Sequence, residues 1–105
     1  MIDTAQILQR IKSSVHATDP GATLILYGSY ARGDNRDDSD IDILVLLDKD
    51  KITYDDRARI GHPLFHLELE TETQISPRIF SKEIWETKYK ITPFYKNITL
   101  EGKLL

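Results

Sequence analysis

The stretch DIDILVLL, residues 40 to 47, limits the possible folds more than any other part of this chain. Ile43 to Leu47 is an unbroken aliphatic run. Successive side chains of a strand point to opposite faces, so a strand with one wet face alternates apolar and polar residues. A run without alternation calls for cover on both faces. The strand therefore belongs inside a sheet with packed layers on either side. Two carboxylates, Asp40 and Asp42, stand at its mouth, and a Gly28-Ser29 turn lies a short way ahead.

The rest of the chain can be arranged around that strand. Residues 3 to 17 read as a helix, because Ile7, Leu8, Ile11 and Val15 fall on one face at helical spacing. Asp3 or Thr4 can cap its start, and Asp19-Pro20-Gly21 ends it. Ala22 to Tyr27 reads as a buried strand that Gly28-Ser29 breaks, with a short helical turn at Tyr30 to Arg32 and a charged loop at Asp34 to Ser39. Residues 51 to 61 read as a helix closed by Gly61 and Pro63. Leu64 to Ile75 alternates, with Leu67 and Leu69 opposite Glu68, Glu70 and Glu72, and reads as a long strand or the start of a hairpin. Ser81 to Lys90 reads as a helix capped by Ser81, with Ile84, Trp85 and Tyr89 inward. A new element starts after Pro93, and Phe94 and Tyr95 are expected to dock it on the sheet.

Bulk properties narrow the function. With 105 residues the chain has room for one compact domain, expected to span 1–105. A net charge of −3 argues against direct nucleic-acid binding, which favours a basic excess. The absence of cysteine removes disulfides and thiolate metal sites and fits a reducing compartment. MIDTAQILQRIKSS lacks the apolar core of a signal peptide, and no run is long enough to span a bilayer. The expectation is a cytoplasmic protein with no membrane association.

Asp40 and Asp42 are two apart in a strand, so they share a face. Like charges that close repel, more strongly beside an apolar core, and a bridging divalent cation relieves them. Mg²⁺ suits a few carboxylates completed by substrate phosphates, and a pair of metals can activate a hydroxyl and steady a leaving pyrophosphate. Gly28 lets the backbone approach phosphate, while Ser29 and the N–H groups after it can donate to phosphate oxygens. Arg32 adds a cation. These residues read as a nucleoside triphosphate site with its metal.

Other assignments fail on particular residues. Gly28 and Gly33 have the glycine spacing of a P-loop, but Asp34 and Asn35 stand where Lys and Ser or Thr are needed. Asp38, Asp40 and Asp42 resemble the start of a calcium loop, but Ile43 replaces its turn glycine and Lys49 its bidentate glutamate. His62 and His66 have zinc-like spacing on a helix, yet Pro63 intervenes and no third ligand is evident.

Strand, Gly28-Ser29, ten residues, Asp40-x-Asp42 and then ILVLL resemble the signature of the DNA polymerase beta-like nucleotidyltransferases. The length is similar to that of the minimal nucleotidyltransferase (MNT) branch, and ISPRIFSKEIW followed by TPFYKNITLEG resembles bacterial MNT proteins. The resemblance implies an α+β fold, a mixed sheet flanked by helices. It implies transfer of a nucleoside monophosphate, with ATP as substrate and Mg²⁺ as cofactor. Gly28 and Ser29 would hold the triphosphate, with Gly33 shaping the loop, and Asp40 and Asp42 would bind the metal. The family's third carboxylate, usually the general base, falls on Gln74 by spacing to ISPRIFSKEIW. An amide cannot take that part, so Glu72, with Glu70 two residues before it, is the substitute candidate on the same face of the expected strand.

A chain this short has no room for an acceptor-binding domain, so the acceptor must meet a bare surface or a second polypeptide. The resemblance implies an antitoxin that transfers AMP to a tyrosine of a HEPN-type RNase toxin. Two alternatives stand beside it: a degenerate module that neutralises a partner by contact, and a small-molecule transferase of the antibiotic-modifying kind with a helper subunit. A homo-oligomer is compatible with an open sheet edge.

Overall fold

The computed structural model describes residues 3–105. Asp3 starts the first helix, α1 (Thr4–Thr18), with a capping box: its carboxylate accepts from the Gln6 N–H at 2.8 Å, and the Gln6 side chain accepts from the Asp3 N–H at 3.1 Å. Then follow β1 (Thr23–Tyr27), the four-residue helix α2 (Ser29–Arg32), β2 (Ile41–Leu47), α3 (Tyr54–Thr71), β3 (Ile75–Ser81) and α4 (Lys82–Thr87). A 3₁₀ turn (Tyr89–Ile91) leads to α5 (Pro93–Glu101) and a two-residue strand, β4 (Lys103–Leu104). Among the described residues no helix is long and apolar enough to cross a membrane.

The four strands form one mixed sheet in the order β3-β2-β1-β4. β1 is antiparallel to both β2 and β4, while β2 and β3 are parallel, joined across α3. This is the expected α+β arrangement of a mixed sheet with helices on its faces. β2 is covered on both sides, as its composition requires: neighbours Leu44 and Val45 are each 0% exposed. Ile41, Ile43, Val45 and Leu47 pack with Ile7, Ile11 and Val15 of α1 and Ile60, Leu64 and Leu67 of α3. Leu44 and Leu46 pack on the other face with Trp85, Ile98 and a group of aromatic rings. Phe94 meets Tyr27 edge-on at 5.3 Å and Trp85 at 5.4 Å, so it docks α5 on the sheet.

One stretch differs from its sequence reading. Residues 64 to 71 are not strand, and Gly61 and Pro63 do not end a helix; α3 runs through both to Thr71. The alternation of Leu67 and Leu69 is misleading, since Leu69 is 61% exposed. The stripe that matters is Ile60, Leu64 and Leu67, spaced by four and three, all buried against the sheet and α1. Pro63 stands on the exposed side, where water can serve the carbonyl its ring leaves unpaired. A second capping box, Thr53 with Asp56, starts this helix. Asp56 is itself buried, and Lys49 first, then the Thr53 N–H, hold its carboxyl well below the usual carboxylate range.

Candidate functional site

β1 ends at Tyr27, and the chain turns at Gly28 with φ +76° and ψ −157°. Few residues with a side chain adopt that conformation. Space forbids one as well, because a Cβ at Gly28 would lie 2.4 Å from Asp42 Oδ2. The carboxylate of β2 therefore sits directly against the turn that follows β1. α2 begins at once. Its first carbonyl acceptor, Gly28 O, takes the N–H groups of Ala31 at 3.1 Å and Arg32 at 3.0 Å. The N–H groups of Ser29 and Tyr30 precede that ladder. Gly33 closes the turn in the left-handed region, its N–H on Ser29 O at 2.9 Å.

The register of the sheet assembles the rest. Asp42 lies opposite Tyr27 on β1 and opposite Ser76 on β3. Asp40 precedes β2, and Ser76 Oγ donates to Asp40 Oδ2 at 3.3 Å. Burial and then the neighbouring Asp40 push the Asp42 carboxyl up from its ordinary value, against the pull of Arg78 and Arg32. A partly buried carboxylate whose ionisation is opposed by burial and by a second carboxylate beside it makes a place where positive charge is favoured. Two carboxylates and a serine hydroxyl do not form a complete cage. Among the described residues no group of three His, Cys, Asp or Glu side chains could hold a metal ion. Such a set fits Mg²⁺, which takes one or two carboxylates and fills its octahedron with water and phosphate oxygens.

Two cations face this site. Arg32, on α2, donates from Nε to Asp34 Oδ2 at 3.2 Å and from Nη1 to Glu101 Oε2 at 3.2 Å. Arg78, on β3, shares the face of Ser76, with its guanidinium 5.1 Å from the Phe94 ring centroid. Neither Glu101 nor Arg78 stands out in the sequence. Glu101 reaches the turn because β4 pairs with β1, and a two-residue strand leaves almost no trace in composition.

The expected third carboxylate is placed differently. The residue opposite Asp42 is Ser76, not Gln74, whose carbonyl instead accepts from the Ile41 N–H at 2.8 Å. Glu72 does not lie on a strand beside the aspartates. It is the exposed C-cap of α3, at φ +56°. Glu70 pairs with Arg10, and Glu68 accepts from the Ile75 N–H at 2.7 Å. The shared strand face of these glutamates disappears once residues 64 to 71 are helix. Tyr30 packs against the aliphatic core, and His62 and His66 are exposed.

Residues 6–105 match the family model described as a nucleotidyltransferase domain. Two similar proteins of Methanocaldococcus jannaschii bear the name "Putative protein adenylyltransferase". One is 32% identical over 85 residues, covering 79% of this chain and 85% of the relative. The other is 35% identical over 82 residues, covering 78% and 75%. Among solved structures, one described as the crystal structure of a toxin-antitoxin with AMP-PNP superposes with a TM-score of 0.65 over 91% of this chain and 69% of that one. At 21% identity that likeness concerns the fold.

Proposed function

The chain belongs to the nucleotidyltransferase domain family, and from that premise we propose that it transfers AMP from ATP to a hydroxyl on a partner protein. The observation that carries this reading is the contact between the Gly28 turn and Asp42, which leaves no room for a side chain between phosphate turn and acid pair. Asp40 and Asp42 would hold Mg²⁺, which when bound neutralises the triphosphate and the departing pyrophosphate. Ser29 Oγ and the N–H groups of Ser29 and Tyr30 grip phosphate oxygens, and Arg32 meets the charge that collects on the leaving group. The acceptor oxygen bonds to the α-phosphorus as the bond from that phosphorus to the bridging oxygen breaks and pyrophosphate departs. Ser76 orients Asp40 but cannot act as a base at neutral pH. β3 supplies no base, so the acceptor's own surroundings take the hydroxyl proton.

A protein acceptor is supported by the names of the two relatives. The partner we favour is a HEPN-type RNase toxin, for which this chain would be the antitoxin. Ser76 in the third position favours a second reading, a module that binds its partner and transfers nucleotide slowly or not at all.

Intact-mass measurement separates the two. The protein is incubated with the product of its neighbouring gene, ATP and Mg²⁺. A gain of one or more AMP units on the partner, lost in Asp40→Asn, is expected. The loss should be on the order of a hundredfold or more in rate, since metal charge stabilisation is worth several kcal/mol. A stable complex with no mass gain would replace the first reading with the second.

A further inference from the structure

We propose that Glu101 is the positioning residue of the triphosphate turn, holding Arg32 and the Gly28 amide in place so that docking of the C-terminal segment sets nucleotide affinity. The inference rests on the reading of Gly28 to Gly33 as a triphosphate site.

The sheet register explains how Glu101 gets there. β4 pairs with β1 through Ile25 with Leu104 and Leu26 with Lys103. Carried two places further, the same register sets Gly28 opposite Glu101. There the pairing segment is already the last turn of α5 and has no strand backbone to offer. The Glu101 side chain takes over, and its Oε1 accepts from the Gly28 N–H at 3.3 Å. Gly102 makes the tight passage from α5 to β4 possible. A Cβ there would lie 2.5 Å from Ile98 O and 2.7 Å from the Ile25 side chain. The position of the carboxylate is thus set by a close backbone fit and not by a free side chain.

The same carboxylate holds Arg32, whose Nη1 lies 3.4 Å and 3.2 Å from its two oxygens. Glu101 is 28% exposed, while Asp34, the other partner of Arg32, is 62% exposed. Glu101 is therefore the firmer of the two anchors. α2 is a single turn and gives a long side chain little support of its own. An untethered arginine would lose its rotamer freedom on binding phosphate, whereas a tethered one has lost it already. Among the described residues these pairs engage Nε and Nη1, leaving the Nη2 edge of the guanidinium for an oxyanion.

The test is a double-mutant cycle read by equilibrium binding of a non-hydrolysable ATP analogue with Mg²⁺. Glu101→Ala and Arg32→Ala should each weaken binding by about tenfold, the range of one charge-assisted contact. The double variant should be within about twofold of Arg32→Ala, because coupled residues are not additive. Glu101→Gln keeps an acceptor for Gly28 and loses the ion pair, so it should fall between wild type and Glu101→Ala; it carries the cycle if the alanine variant does not fold. Without nucleotide, the Gly28 amide resonance should move in Glu101→Ala and stay near its wild-type position in Glu101→Gln. Additive losses would overturn the proposal, and so would tighter binding by Glu101→Ala, which would make the carboxylate a competitor of the phosphates. If wild type binds the analogue and the cycle is additive, only this inference falls. If wild type binds nothing, the triphosphate reading falls with it.

Discussion

On the face covered by α1 and α3, β2 contributes Ile41, Ile43, Val45 and Leu47, with the two isoleucines and the valine fully buried and Leu47 nearly so. On the other face it contributes Asp42, Leu44 and Leu46, and its neighbours there include Tyr27, Ser76, Arg78 and Phe80. The first layer is aliphatic from end to end. The second begins as an aromatic core around Trp85 and finishes, at the N-terminal end of β2, in two carboxylates facing a glycine turn. α1 and α3 are long enough to cover their face completely, at 15 and 18 residues; α4 and α5 have six and nine. Short cover leaves one end of the sheet accessible, and the polar side chains occupy that end. One strand can therefore serve a sealed core and an open site by alternation alone.

If the faces divide labour in this way, damage to them should be read by different measurements. The largest effect is expected from Ile43→Ala, which opens a cavity in the aliphatic layer one residue from Asp42 but on the opposite face. It should lower unfolding free energy by about 2–5 kcal/mol in denaturant titration. Nucleotide affinity of the fraction still folded should stay within about twofold of wild type, since side chains on opposite faces share no partner. A large loss of affinity would mean that the faces are coupled through the strand.

Gly28→Ala should do the reverse at a smaller cost to stability. The positive φ and the 2.4 Å approach to Asp42 Oδ2 must both be relieved. Strain of this kind costs about 1–3 kcal/mol, and analogue binding should fall below detection while circular dichroism keeps its folded signature. Retained binding would show that the turn and the acid pair are not one site.

The smallest effect is also the most diagnostic. Asp42 has its proton affinity raised in the folded state by burial and by Asp40. Between the ordinary aspartate value, about 4, and its raised folded value, the folded protein binds more protons than the unfolded one. In that window this group makes stability fall as pH rises, and above it the penalty is fully present. Asp42→Asn should therefore raise the melting temperature slightly at neutral pH in metal-free buffer and flatten the acid side of the stability profile. Mg²⁺ should raise the melting temperature of wild type and leave that variant unchanged. An unstable Asp42→Asn would move Asp42 from the functional end of the face to its structural core.

Several parts of this molecule can be read directly from the chain. α1, β1 and α4 match their sequence readings to within a few residues, because capping residues, apolar spacing and a proline-glycine stop act over one or two turns. The Gly28-Ser29 break and the paired aspartates are equally local. Residues 64 to 75 show where such reasoning fails. Four residues of alternating Leu and Glu, Leu67 to Glu70, suit a strand or a helix face, and only the stripe Ile60, Leu64, Leu67, fitted between α1 and the sheet, decides for helix. The site depends on the same choice, since Glu72 reaches the aspartates only as a strand neighbour and stands instead at the C-cap of α3.

The sequence by itself determined that a doubly covered strand must run inward from two carboxylates, and that a glycine turn must precede them. Those are consequences of alternation, burial and backbone freedom, which each residue carries with it. Tertiary structure alone decided who faces whom across strands: Ser76 opposite Asp42, Arg78 over Phe94, and Glu101 on Arg32 and Gly28. Strand register is a property of two segments at once. Residues 16 to 73 places apart meet here only after both segments have packed on the same sheet.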